Sequence, residues 1–177
     1  MRRKTEEVDI GIEFGTEEIE VATGDQVLDH MLKTLFFYMG ENVKIDGGWD
    51  LRHHLWEDMG ILLGEALKRR IDGKDIQRFG NAIMPMDDAL VLSSVDVSRV
   101  YLNVDLDFQY DEDGFDIVLV QELLNGLVRN LSATIHIKKL NGTGSHHVIE
   151  ASFKALGVAL SQALQPADEL KSTKGIL

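Results

Sequence analysis

The hydrophobic pattern of the first half of the chain predicts two strands, a helix, a strand and a second helix. Apolar residues alternate with polar residues or glycine over 8–14, and a second short strand follows at 18–22. From 28 to 36 the apolar positions recur with the spacing of one helical face. A strand over 43–50 and a longer helix over 53–71 complete this half.

The second half repeats this order. Two runs of strand character cover 89–97 and 100–106, and the short break between them is consistent with a hairpin. A helical stripe then runs over 116–131, and polar and apolar residues alternate over 134–138. A glycine-containing turn leads into a final helix that begins near Ser145.

The repeated order predicts a tandem duplication of two halves, 1–73 and 74–177, within one compact domain. Each half is too small to bury its helices alone, so we expect the two to pack against each other. The glycine and charge cluster over 72–75 is the predicted joint.

Charge and composition exclude several classes of function. The 177 residues include 18 Lys+Arg and 30 Asp+Glu, a net charge of −12 that argues against nucleic acid and anionic membranes as partners. The absence of cysteine excludes disulfides and thiolate metal ligands. No apolar run reaches the ~18 to 20 residues of a membrane span, and charged residues open the chain, so we expect a cytoplasmic protein.

Four of the six histidines form two adjacent pairs, each at the start of the last helix of a half. Each pair is followed three residues later by a glutamate: His53, His54 and Glu57 in the first half, and His146, His147 and Glu150 in the second. Residues three and four apart share a helix face, whereas adjacent residues point about 100° apart, so such a pair suits two metal ions better than one. Recurrence of the motif at equivalent positions of a duplicated chain favours metal binding over chance.

The two remaining histidines are His30, on the polar side of an early helix, and His136, in the polar phase of a strand. A lone histidine in such a place is more often a surface residue than a ligand. Six histidines and two glutamates nevertheless divide into two sites of three imidazoles and one carboxylate, which suits Mn, Fe, Zn or Ni. Spacing alone leaves open which ligand serves which ion.

Several motifs together resemble the imidazoleglycerol-phosphate dehydratase family of histidine biosynthesis. Besides the two His-His-x-x-Glu motifs they are Arg3-Lys4-Thr5-Glu6-Glu7, Leu28-Asp29-His30-Met31-Leu32, Arg78-Phe79-Gly80, Pro85-Met86-Asp87, Val95-Asp96-x-Ser98, Ile135-His136-Ile137, Phe153-Lys154-Ala155 and Ser172-Thr173-Lys174-Gly175. The resemblance implies a lyase that converts D-erythro-imidazoleglycerol phosphate to imidazole acetol phosphate and water. It also implies an α+β fold of duplicated ββαβα halves, similar to the second domain of ribosomal protein S5, with four helices sandwiched between two sheets.

The resemblance further implies the roles of individual residues. Two divalent metal ions per chain, manganese by resemblance, would be held by His30, His53, His54, Glu57, His136, His146, His147 and Glu150. The implied catalytic residues are Glu7, Glu57 and Glu150. The implied substrate-binding residues are Glu7, His30, Tyr38, Arg78, Arg99, Ser172 and Lys174, of which Arg78, Arg99, Ser172 and Lys174 would bind the phosphate. Family members assemble from trimers into 24-subunit shells, which implies a homo-oligomer with sites between subunits.

The chain departs from the family pattern close to the predicted site. Tyr38 stands where the family usually has a second histidine, and Arg52, Leu55 and Gly144 also differ from the usual residues. The sequence is also compatible with two other interpretations. A different two-metal enzyme, such as a hydrolase, would keep the histidines but leave the phosphate-binding residues unexplained. A catalytically silent protein would use the metals only to staple its assembly together.

Overall fold

A computed structural model describes residues 1–112, 114–169 and 172, and these residues form two four-stranded sheets and four helices. The elements of the first half are β1 (Arg2–Lys4), β2 (Val8–Phe14), β3 (Glu20–Ala22), α1 (Gln26–Met39), β4 (Val43–Trp49) and α2 (Arg52–Ile71). Those of the second half are β5 (Phe79–Met86), β6 (Ala89–Val97), β7 (Tyr101–Asp105), α3 (Ile117–Leu131), β8 (Ala133–Asn141) and α4 (Ser145–Ala163).

The α+β fold predicted from the sequence is confirmed, with the helices between the two sheets. The strand orders β1-β2-β4-β3 and β5-β6-β8-β7 are equivalent, as a duplication requires. Helices α1 and α2 contact the first sheet, and α3 and α4 contact the second. The four helices form one layer between the sheets, in which α2 packs against α3 and α1 packs against α4. Across the described part of the chain, no helix combines the length and apolar character needed to cross a membrane.

The structure adds one strand to the start of each half and corrects one pairing. Neither β1 nor β5 was predicted, because β1 has three charged residues and β5 contains a proline, Pro85, near its end. The predicted hairpin between β6 and β7 is wrong: β7 pairs with β8 in parallel, whereas β6 pairs antiparallel with β5 and β8. Alternation shows which face of a strand is buried but does not specify its partner.

Close helix packing depends on glycines within the helices. A Cβ atom added to Gly60 of α2 would lie 2.0 Å from the carbonyl oxygen of Leu123 on α3, and one on Gly64 would lie 2.7 Å from that of Leu127. Gly64 and Leu127 each lie one helical turn beyond Gly60 and Leu123, so the contact positions increase in the same direction along both helices. Helices α2 and α3 therefore run parallel. A Cβ on Gly157 of α4 would similarly lie 2.5 Å from the carbonyl oxygen of Leu35 on α1.

The N-termini of the four helices lie together as a result. The guanidinium of Arg52, the first residue of α2, donates to the carboxylate of Asp25, which caps α1, and at 2.8 Å to the carbonyl of Gly114, shortly before α3. The Phe115 ring, from the same loop, stacks on His146 of α4 with the centroids 4.2 Å apart. Both His-His-x-x-Glu motifs therefore open helices at one end of the helix layer.

Candidate functional site

The first group of ligand-type side chains, here called the α4 cluster, comprises His30, His146 and Glu150. The Oε2 atom of Glu150 lies 3.1 Å from Nε2 of His30 and 3.4 Å from Nε2 of His146. One donor atom from each residue lies within 4.8 Å of the other two. Two imidazole nitrogens and a carboxylate oxygen at such separations can hold one divalent ion.

The carboxylate of the α4 cluster is kept ionised although it is buried. Burial opposes ionisation of Glu150, but hydrogen bonds from His30 and Lys154 outweigh it and lower the pKa of this carboxyl. The Lys154 ammonium lies 3.2 Å from Oε1 of Glu150 and 5.7 Å from the ring centroid of Tyr38. An ionised carboxylate is the form that binds a metal ion.

The second group, here called the α2 cluster, comprises His53, His54 and Glu57, with Glu7 beside it. Nε2 of His53 lies 3.6 Å from Oε2 of Glu57, and Nε2 of His54 lies 3.8 Å from Oε1 of Glu7. The cluster is more open than the α4 cluster, since about half of the side-chain surface of His53 and of Glu57 is exposed. The exposed side of the α2 cluster is accessible to further side chains.

The second histidine of each pair is bound to an aspartate through its other ring nitrogen. Nδ1 of His54 lies 2.8 Å from Oδ1 of Asp50, and Nδ1 of His147 lies 2.8 Å from Oδ1 of Asp88. These hydrogen bonds raise the pKa of both imidazoles. Asp50 precedes His54 by one helical turn, a spacing that the sequence shows, whereas only the fold brings Asp88 to His147.

His136 belongs to neither cluster among the described residues. Alternate residues of β8 are buried against the helices, and His136 is exposed on the opposite, outer face of the second sheet. Its ring centroid lies 5.3 Å from that of Tyr101 on the neighbouring strand. One of the eight predicted ligands therefore faces away from the helix layer.

The predicted phosphate-binding arginines lie at one end of the second sheet. The guanidinium of Arg78 donates to both carboxylate oxygens of Asp96, at 2.7 and 3.1 Å, and lies 4.6 Å from the ring centroid of Phe79. Arg99 is exposed, and its carbonyl accepts a hydrogen bond from the hydroxyl of Thr134. Arg78 has a φ of 70°, a strained value for a residue with a side chain.

The opposite end of the same sheet carries Asp88, which binds His147. Because β5 has eight residues, the two ends are separated by about 25 Å. The arginines and His136 are thus not brought to the clusters within one chain. Ser172 is described and half-buried, whereas Lys174 lies outside the described residues.

An open cavity of about 450 Å³ adjoins the α4 cluster. Its lining includes His30, Tyr38, Glu150 and Lys154, with Phe37 and Ile19 as apolar surface. Tyr38, predicted from the resemblance as a substrate-binding residue, is therefore close to the cluster. Lys154 was not among the predicted site residues, although its position one turn after Glu150 was visible in the sequence.

The chain is similar in sequence to known proteins over its whole length. A family model described as imidazoleglycerol-phosphate dehydratase matches residues 23–160. The imidazoleglycerol-phosphate dehydratase of Pyrococcus furiosus is 53% identical over 178 residues, with 100% of both chains covered. That of Endomicrobium trichonymphae is 39% identical, with 99% of this chain and 95% of the relative covered.

Two solved structures are similar in fold. The crystal structure of IGPD from Pyrococcus furiosus in complex with (S)-C348 matches with a TM-score of 0.94 and 52% identity, covering 100% of both chains. The imidazoleglycerol-phosphate dehydratase from Staphylococcus aureus matches with a TM-score of 0.83 and 33% identity, covering 94% of this chain and 98% of that one.

Proposed function

The chain belongs to the imidazoleglycerol-phosphate dehydratase family, a hydro-lyase of histidine biosynthesis, and we propose that it works with two divalent metal ions, most simply Mn²⁺, held by its histidines and glutamates. It converts imidazoleglycerol phosphate to imidazole acetol phosphate and water. Family membership favours this reaction over the two alternatives, a different two-metal enzyme and a catalytically silent metal-stapled assembly protein. The observation that carries the metal proposal is the α4 cluster, in which His30, His146 and Glu150 converge.

The donor set fits such ions, because it consists of imidazole nitrogens and carboxylate oxygens without thiolates. One ion would be held by the α4 cluster and the other by the α2 cluster, with His136 and His147 completing the set of eight ligands. Bound ions would supply Lewis-acid polarisation of the substrate's imidazole and a template for its orientation.

Glu7 is the proposed proton-moving residue. Dehydration removes a proton from carbon and a hydroxyl from the neighbouring carbon, so a group near the reacting carbons has to accept or donate a proton. The Glu7 carboxylate lies 3.8 Å from Nε2 of His54, and about half of its side-chain surface is exposed toward solvent. Glu57 and Glu150 take part in catalysis as ligands, and His30 and Tyr38 line the substrate cavity.

The phosphate of the substrate would bind to Arg78, Arg99, Ser172 and Lys174. A guanidinium can hold two phosphate oxygens at once, and Asp96 holds that of Arg78 in a fixed orientation. These groups would supply a local positive field in a chain whose net charge is −12.

We propose that a complete site forms between chains of a homo-oligomer, of 24 subunits built from trimers by family resemblance. The supporting observation is that His136 and the two arginines lie on the outer face or far end of the second sheet, away from both clusters. The chain would act in the cytoplasm, without nucleic-acid or membrane partners, and we retain 1–73 and 74–177 as its two halves.

Mixing two inactive variants tests the shared site. His136→Ala and Glu150→Gln each remove a ligand, but from opposite parts of one chain. After joint metal removal and reassembly with Mn²⁺, the mixture should regain dehydratase activity that neither variant shows alone, because some sites then receive both intact residues. Activity that stays absent in a mixture shown by light scattering to have reassembled would contradict a site shared between chains.

A further inference from the structure

We propose that Asp50 and Asp88 are positioning residues that fix the imidazole rings of His54 and His147, so that Nε2 of each ring is presented to a metal ion. This inference rests on the proposed metal sites and adds two residues to them. It assigns the aspartates a role through the histidines, without contact to substrate or metal.

The contacts are the same in both halves of the chain. In each, the aspartate Oδ1 lies 2.8 Å from Nδ1 of the histidine. A carboxylate at Nδ1 holds the proton on that nitrogen and leaves the lone pair on Nε2, the arrangement found around many metal-binding histidines. The Nε2 atoms then face Glu7, at 3.8 Å, and Asp87, at 3.4 Å.

The two aspartates reach their histidines by different routes. Asp50 lies just before α2, four residues ahead of His54. Asp88 lies in the β5–β6 turn, 59 residues ahead of His147, and its carboxylate also accepts hydrogen bonds from the backbone N–H and hydroxyl of Thr143, at 3.1 and 3.0 Å. Because unrelated local structures deliver a carboxylate to the same atom, helix spacing alone does not account for the arrangement.

The first histidine of each pair is oriented differently. His53 and His146 direct Nε2 toward the glutamate of their own motif, at 3.6 and 3.4 Å. The ring of His146 is held by stacking on Phe115. The aspartates therefore act on the second histidine, which lies about 100° further around the helix than the first.

Binding of Mn²⁺ to the metal-stripped full-length protein tests the proposal without depending on turnover. The signal of free Mn²⁺ in electron paramagnetic resonance gives the number and affinity of the sites. Asp50→Ala and Asp88→Ala should each weaken binding at one site by ~10 to 100-fold. The asparagine variants should recover part of the loss, since the amide oxygen accepts the same hydrogen bond. Asp105→Ala, which removes an exposed carboxylate paired with Lys138, is the matched control and should bind like the wild type.

Wild-type affinity in both alanine variants would overturn the positioning role while leaving the metal sites in place. Wild-type protein that binds no Mn²⁺ would overturn the metal sites and this inference with them. Asp88→Ala also removes the contacts to Thr143 and can disturb folding, so thermal unfolding of each metal-free variant is measured in parallel. If Asp88→Ala does not fold, Asp50→Ala decides the question, because within the described residues the hydrogen bonds of the Asp50 carboxylate are local, to His54 and to the adjacent backbone.

Discussion

Nε2 of His30 lies 3.1 Å from Oε2 of Glu150, although 120 residues separate them in the chain. The contact exists because α1 and α4 run parallel and pack closely at Gly157, which places the first turns of both helices side by side. A ligand group of the proposed active site is therefore a direct product of the packing between the two duplicated halves.

Glu150→Gln should reduce the metal content from two ions per chain to one. The amide keeps the size of the side chain but lacks the charge that makes the carboxylate a strong ligand. Elemental analysis of the purified protein measures the content, and Glu122→Gln on α3 is a matched control expected to retain two ions. Two tightly bound ions in Glu150→Gln would contradict the role of the α4 cluster.

Arg78→Ala should raise the KM for the phosphorylated substrate by ~10 to 100-fold, because a hydrogen bond to a charged group contributes ~1.5 to 3 kcal/mol. Metal content should stay unchanged, since the guanidinium is held by Asp96 and not by either cluster. Arg2→Ala, which removes a guanidinium paired with Asp9 and Asp46 on the first sheet, is the control. An unchanged KM in Arg78→Ala would argue against a phosphate contact.

Gly60→Ala should destabilise the protein by ~1 to 3 kcal/mol, the usual cost of overpacking a core. Its Cβ would lie 2.0 Å from the carbonyl oxygen of Leu123, so α2 and α3 would have to move apart. Gly48→Ala on β4 is a suitable control because its Cβ would meet nothing within 4 Å. Urea unfolding of both variants measures the difference, and equal stability would show that the helices separate at no cost.

The pairing of His54 with Asp50 should make the stability of the metal-free protein depend on pH. The hydrogen bond to Asp50 raises the pKa of His54 above 6.5 and lowers that of Asp50 below 3.8. The contribution from His54 is fully present below pH 6.5 and is lost as the pH rises through its raised folded-state pKa. The contribution from Asp50 is present above pH 3.8 and is lost as the pH falls through its lowered pKa.

Asp50→Asn removes the charge that favours the imidazolium, so the pKa of His54 should fall toward its ordinary value. Nuclear magnetic resonance titration of the His54 ring in metal-free protein measures this change, and Asp9→Asn on the first sheet serves as control. A His54 titration that does not differ between wild type and Asp50→Asn would refute the coupling.

The sequence was sufficient to predict the helices, the duplication and the location of histidines and glutamates at two helix starts. His53 and Glu57 are close in sequence, and the helical period places side chains with this spacing on one face of a helix. Recurrence of the motif at His146 and Glu150 then identified equivalent ends of two helices. Short β1 lacked any hydrophobic pattern, and nothing in the alternation of β7 encodes parallel pairing with β8.

The sequence pattern could not predict features that depend on tertiary structure. Asp88 reaches His147 only because the β5–β6 turn folds against the start of α4. His136 lies on the outer face of its sheet, as its polar position in the strand pattern predicts, but that pattern does not show that this face lies away from both clusters. Arg52, a departure from the family pattern, joins the starts of α1 and α2 to the loop before α3.

We propose that this chain dehydrates imidazoleglycerol phosphate with metal ions held at the two helix starts. The most direct measurement follows formation of imidazole acetol phosphate by metal-stripped protein with and without added Mn²⁺. We predict turnover that requires Mn²⁺ and saturates at two ions per chain. Equal turnover by protein verified to contain no metal, or no turnover by protein loaded with two ions per chain, would contradict the claim.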